Sequence, residues 1–311
     1  MKIFTKLDEL EKIHHGTGIA LGTFDGIHLG HQKVIKTLVK KCSEKNLKSV
    51  LFTFSNHPRE VVNVGAHISR IMTIDDKVKM AEMMGIDYLV ILNFDNEFMS
   101  IEARSFIEDL LIETLNAKLL SVGYNFRFGH NAKGDVQLLK KYTDIFDLIV
   151  TKAVYEKEFN VSSTLIRELL EEGSIEKANS LLGRSYKLTS TIVKGKEVGK
   201  TLGFPTANLK IFENMTRLKP GVYITISEID GVEYKSATNV GFNPTFDQDV
   251  FNIETFILDF DADIYGKYLT VKFIKRLRDE LKFDSLDDLM KQIADDVEKT
   301  KEYFDEFLKS S

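Results

Sequence analysis

The spacing of apolar residues along this chain changes character near Gly183-Arg184, and no other feature limits its fold so strongly. Before that point, apolar runs at 19–24, 50–54, 88–92, 119–122 and 148–150 have the length of buried strands. Between them, residues 30–45, 75–84 and 102–116 carry apolar side chains at helical period. Strands alternating with helices predict a parallel sheet covered by helices, a Rossmann-type layer. Beyond Gly183 the runs are short and alternating, at 188–193, 221–227, 232–237, 253–260 and 268–274. Asp230-Gly231 between two of them predicts a tight hairpin, so this half reads as an antiparallel β-barrel or sandwich. From Ser285, a plausible N-cap, Leu286, Leu289, Ile293, Val297 and Phe304 recur at helical spacing, which predicts a terminal helix packed on the barrel. The expected fold class is α/β plus β, with domains at 1–183 and 184–311.

A length of 311 residues supports two cores, and 43% hydrophobic with 29% charged residues excludes a disordered chain. Every apolar run is strand-sized and far short of the roughly 20 residues that cross a bilayer, so no membrane partner is expected. A net charge of -5 without a polybasic tract disfavours nucleic acid. Charge arrives at Lys6 and Asp8, which leaves no signal-peptide core and implies a cytoplasmic location. Cys42 is the only cysteine, so an internal disulfide and multi-cysteine metal centres are excluded.

The string Gly22-Thr23-Phe24-Asp25-Gly26-Ile27-His28-Leu29-Gly30-His31 runs from a buried strand through a glycine-bearing turn into an amphipathic helix. A parallel strand's carboxyl end opens onto the ligand crevice, and the following helix offers unpaired amides to phosphate. Gly22, Gly26 and Gly30 allow close backbone approach. One helical turn puts His28 and His31 on the same side, where their donors could stabilise charge growing on an α-phosphate. Zinc ligation and ordinary surface placement are the competing readings of the pair. In the second half, Gly195-Lys196-Glu197-Val198-Gly199-Lys200-Thr201 has one residue too few between its glycines for a Walker loop. It leads instead to Gly203-Phe204-Pro205-Thr206-Ala207-Asn208. By parity Glu254 shares a face with Phe256 and Leu258, an unusual place for an acid unless that face meets a polar site.

The first string resembles the His-x-Gly-His signature of the nucleotidyltransferase superfamily, and its Phe-Asp-Gly is similar to the FAD synthetase branch. The resemblance implies ATP contacts by Gly22, Thr23, Phe24, Asp25, Gly30, Ser163, Thr164 and Arg167. It implies catalytic roles for His28 and His31, and FMN contacts by Asn56, Pro58, Asn125 and Arg127. Asn56 departs from the family, which usually has proline there. Pro205-Thr206-Ala207-Asn208 resembles the riboflavin kinase signature. That likeness implies ATP binding by Gly195, Gly203, Pro205, Thr206 and Asn208, Mg²⁺ held by Thr206 and Asn208, and Glu254 as general base. Together the matches resemble prokaryotic bifunctional riboflavin kinase/FAD synthetases. They imply riboflavin, FMN, FAD and ATP as ligands, with Mg²⁺ at both steps. A chain with one decayed module, or a flavin or nucleotide sensor without turnover, is the alternative.

Overall fold

The computed structural model describes residues 1–10, 15–63, 65, 67–194, 204–210, 214–244 and 249–310. It divides into two compact units, Met1–Ser163 and Thr164–Ser311.

The first unit is built on six parallel strands: β1 (Lys2–Phe4), β2 (Thr17–Leu21), β3 (Lys48–Phe54), β4 (Tyr88–Leu92), β5 (Ala117–Gly123) and β8 (Asp147–Thr151), in the order β1-β4-β3-β2-β5-β8. Two short hairpins, β6 (Arg127–Phe128) with β7 (Gly134–Asp135) and β9 (Tyr155–Glu156) with β10 (Phe159–Asn160), lie outside it. Successive side chains of a strand point to opposite faces. Ile19, Leu21, Val50, Phe52, Val90 and Leu92 therefore enter one apolar cluster, while Ala20, Leu51, Leu89 and Ile91 enter the other. Both faces are covered, which is why these strands read as unbroken apolar runs. Helix α1 (Leu29–Lys45) sends Ile35, Leu38 and Cys42 into the second cluster. Its close seat depends on Gly18, where a Cβ would lie 2.3 Å from Cys42 Sγ. Two further helices, α2 (Pro58–Val62) and α3 (Ile74–Met83), lie between β3 and β4 in the chain. Strands β2, β3 and β4 progress in one direction across the sheet and β5 and β8 in the other. The order reverses between β2 and β5, the place where open α/β sheets receive ligands beyond their carboxyl ends.

In the second unit six antiparallel strands close a barrel in the order β11-β12-β15-β14-β13-β16. They are β11 (Tyr186–Val193), β12 (Thr206–Leu209), β13 (Gly221–Ile229), β14 (Val232–Pro244), β15 (Asp249–Ile257) and β16 (Tyr268–Arg278). Asp230 and Gly231, at φ 51° and 83°, make the two-residue turn that the alternating runs predicted. The barrel holds buried hydroxyls as well as apolar side chains. Thr225, Ser236, Thr238 and Thr255 hydrogen-bond to one another from β13, β14 and β15, so none is buried unsatisfied. The terminal helix Leu286–Ser310 packs on β14. Phe304 is buried there, but Leu286, the first residue of the expected stripe, is 61% exposed because it lies in the helix's opening turn. Strand β15 ends at Ile257, so Leu258 does not extend the face of Glu254 as parity alone suggested.

Candidate active sites

Beyond β2 the chain makes a crowded turn. Phe24 (φ 47°), Gly26 (φ 78°) and Ile27 (φ 35°) all take left-handed conformations before His28 caps α1. Strain of this kind persists only where the surroundings enforce it. Asp25 supplies part of that force, since its buried carboxylate accepts the Ile71 amide at 3.1 and 3.2 Å. Ser163 Oγ donates to the Asp25 carbonyl at 2.9 Å, which joins two motifs 138 residues apart. Gly22 and Gly30 have a local use: a Cβ at Gly22 would press on the Phe24 ring at 3.1 Å, and one at Gly30 on His28 Cε1 at 3.1 Å.

The imidazoles of His28 and His31 stack with centroids 3.7 Å apart and planes at 15°. His28 Nδ1 accepts the His31 amide at 3.2 Å, so in the neutral ring the proton is on Nε2. Burial holds the His31 pKa well below the usual histidine value, with His28 and Lys77 adding to the effect. His31 Nδ1 is buried without a hydrogen-bond partner among the described residues. A stacked imidazole pair at a helix start, with His31 Nδ1 unpartnered among the described residues, is an arrangement that can receive a phosphate.

Thr23, Asp25, Phe54, Asn56, His57, Arg70 and Lys77 line a cleft beside this turn. Asn56 holds the backbone of Phe94 with both ends of its amide, Nδ2 to the carbonyl at 2.8 Å and Oδ1 from the N–H at 2.7 Å. The loop that the family stiffens with proline is thus pinned here by hydrogen bonds. His57-Pro58-Arg59-Glu60 forms a capping box with Pro58 in the first turn of α2. Asn125 and Arg127 follow β5 and are exposed, with Arg127 3.4 Å from Asp135. Since β3, β2 and β5 are neighbours, Asn56, the histidine turn and Asn125 all follow adjacent carboxyl ends. Thr164 and Arg167 continue the helix Ser163–Glu171 and belong to the second unit. Lys77 was not legible in the sequence as part of this cleft, because a lysine on an amphipathic helix reads as solvated.

The second site lies on the barrel's outer face. Register places Asn208 of β12 and Asn239 of β14 on either side of Glu254. Asn252 Nδ2 donates to Glu254 Oε1 at 2.6 Å and to Asn208 Oδ1 at 3.1 Å, and Thr206 Oγ1 lies 3.5 Å from Glu254 Oε2. Thr206, Asn208 and Glu254 are therefore brought together, with Asn252, absent from the expected site residues, as the common donor. Its position two residues before Glu254 on one strand face was the signal available. Phe256 meets Phe204 edge-on at 5.4 Å and forms an apolar flank. Pro205 is exposed just before β12. Gly195 and Gly203 lie outside the described residues. Among those described, no cluster of three His, Cys, Asp or Glu side chains is arranged to hold a metal, and no helix is long and apolar enough to cross a membrane.

A parallel sheet with a stacked imidazole pair at its switch point, and a closed barrel with an amide-oriented carboxylate, define a two-module α/β plus β class. The FAD synthetase family model matches residues 10–165 and the riboflavin kinase model residues 182–304. The chain is 34% identical over 310 residues to the bifunctional riboflavin kinase/FMN adenylyltransferase of Buchnera aphidicola subsp. Schizaphis graminum, covering 98% of this chain and 99% of that one. The enzyme of the same name from Haemophilus influenzae is 33% identical, with 98% and 99% covered. A crystal structure described as a macrolide-efflux protein from Streptococcus pneumoniae superposes with a TM-score of 0.88 at 31% identity, covering 96% of this chain and 98% of that one. This chain belongs to the bifunctional riboflavin kinase/FMN adenylyltransferase family.

Proposed function

We propose that the barrel module transfers the γ-phosphoryl group of ATP to riboflavin, giving FMN, and that the sheet module transfers AMP from a second ATP to FMN, giving FAD and pyrophosphate. The observation that supports this best is the survival of both constellations, the stacked His28–His31 pair and the Thr206, Asn208, Asn252 and Glu254 cluster. In the first site, His28 and His31 would stabilise the α-phosphate as charge develops, beside the Gly22-Thr23-Phe24-Asp25 turn and Gly30. Ser163, Thr164 and Arg167 carry the family's second phosphate-contacting motif, and Pro58, Asn125 and Arg127 its flavin-side motifs. Asn56 would contribute by shaping its loop.

In the second site, Glu254 would accept the ribityl hydroxyl proton as the phosphoryl group arrives, the ADP oxygen taking the bonding pair it leaves with. The hard oxygen donors of Thr206 and Asn208 fit Mg²⁺, which when bound neutralises phosphate charge. Asn208 Oδ1 already faces an electropositive group, the Asn252 amide. Gly195, Gly203 and Pro205 would border the nucleotide. We place the functional boundary at Gly183-Arg184, giving modules of residues 1–183 and 184–311. Separate assays of riboflavin-to-FMN and FMN-to-FAD conversion test the reading, and absence of either reaction would reduce the chain to a single activity.

A further inference from the structure

Lys77 and Lys79 sit two residues apart on α3, yet Lys79 is exposed and Lys77 is 5% exposed. Thr73 caps this helix by accepting the Asp76 amide, which fixes its opening turn and aims Lys77 at the sheet. Its ammonium donates to the Thr23 carbonyl at 2.9 Å, the Phe54 carbonyl at 3.3 Å and Thr53 Oγ1 at 3.4 Å. Thr53 Oγ1 in turn donates to the Thr23 carbonyl at 2.8 Å. The lysine thus joins the carboxyl ends of β2 and β3 immediately before the left-handed Phe24.

A buried ammonium is costly unless paired, and Lys77 makes no salt bridge among the described residues. A stability role alone would be met more cheaply by an apolar side chain. The cation instead faces the cleft lined by Thr23, Asp25, Asn56, His57 and Arg70, where an anionic substrate would complete its charge. We propose that Lys77 is a positioning residue for adenylyl transfer: it clamps Thr23 and Phe54 so that the turn bearing His28 is preset, and it supplies fixed positive charge behind the phosphates. This rests on the reading of the His28–His31 turn as the adenylyl-transfer site.

The charged and titratable groups around it are Asp25 and Arg70, which act on it, His31, on which it acts, and His57 across the cleft. Burial brings the Lys77 pKa down to about 8, against the opposing pull of Asp25 and with a smaller push from Arg70. The charged form is therefore lost as pH rises through that value.

The test uses the full chain. kcat/KM for FMN-to-FAD conversion, which reports free-enzyme ionisations, is measured from pH 6 to 10 for wild type and Lys77→Met, with riboflavin phosphorylation as control on the same samples. Wild type should decline above about pH 8. Lys77→Met should lower kcat by roughly ten- to a hundredfold, the scale of lost supporting contacts. It should leave both KM values nearly unchanged and lack the alkaline decline, whereas phosphorylation is unaffected. A flat wild-type profile to pH 9.5 would overturn the proposal without recourse to the variant. So would Lys77→Met at near wild-type rate, or one that keeps the alkaline limb at reduced rate. His28→Ala serves as reference: if it adenylylates FMN normally, the reading of the turn fails, whereas a damaged His28→Ala beside a negative Lys77 result removes only Lys77.

Discussion

His31 stacks on His28 at 3.7 Å while its own backbone amide donates to His28 Nδ1, so the first turn of α1 holds the two rings in one orientation and keeps His28 Nδ1 an acceptor. Because burial lowers the His31 pKa from its ordinary value of 6.5, the unfolded chain binds a proton there that the folded chain resists. The stability this neutral ring contributes is fully present above 6.5 and is lost as pH falls below it. Thermal melts between pH 7.5 and 5 should show the first unit weakening with acid, and His31→Gln should flatten that slope. An unchanged slope would mean that His31 titrates normally.

Asn56→Ala removes two hydrogen bonds to the Phe94 backbone and leaves part-buried groups without partners, at a cost of about 1–3 kcal/mol. The melting temperature of the first unit should fall by roughly 2–4 °C per kcal/mol. Riboflavin phosphorylation should not change. A variant as stable as wild type would show that the clamp does not hold this loop.

Asn252→Ala takes away the donor shared by Asn208 and Glu254. Supporting contacts of this kind typically contribute about ten- to a hundredfold in metal affinity or activity. FMN formation should fall on that scale and need more Mg²⁺ for half-maximal rate. FMN supplied directly should still become FAD. Unaltered Mg²⁺ dependence would leave Asn252 as a bystander.

Much of the fold was legible in the sequence. Residues 88–92 coincide with β4, Asp230-Gly231 with its turn, and two of the three predicted helices with α1 and α3 within a residue, whereas the third, expected at 102–116, is α-helical only over Ala103–Ser105 and continues as a π-helix over Phe106–Thr114. The parts that were not legible have physical causes. Strand β1 is three residues long and only Phe4 is buried, so it carries no periodic signal. Strand β12 is only four residues, Thr206–Leu209, and its polar Thr206 and Asn208 mask the apolar alternation. Lys77 and Asn252 make their contacts to residues distant in sequence or on a neighbouring strand, and their types are ordinary on exposed faces. Barrel and sandwich could not be told apart because closure depends on the pairing of β11 with both β12 and β16.

The helix Ile175–Leu182 packs on β11 and β16, and Asn179 donates to the Phe273 carbonyl at 2.8 Å and accepts the Tyr186 amide at 2.6 Å. Fragments beginning at Thr164 and at Arg184 should both make FMN and no FAD. The shorter one should melt lower, by roughly 4 °C for each kcal/mol those contacts contribute. A folded longer fragment without kinase activity would contradict independent sites.

The measurement closest to the central claim is chromatography of the products formed from riboflavin, ATP and Mg²⁺ by wild type, His28→Ala and Glu254→Gln. Wild type should yield FAD. His28→Ala should accumulate FMN, with adenylyl transfer slowed about 100- to 1000-fold. Glu254→Gln should leave riboflavin largely unconverted, with phosphorylation slowed roughly 100- to 10,000-fold, yet convert added FMN to FAD at the wild-type rate. Both variants losing both reactions equally, or either keeping its assigned reaction at full rate, would contradict two separate sites built on these residues.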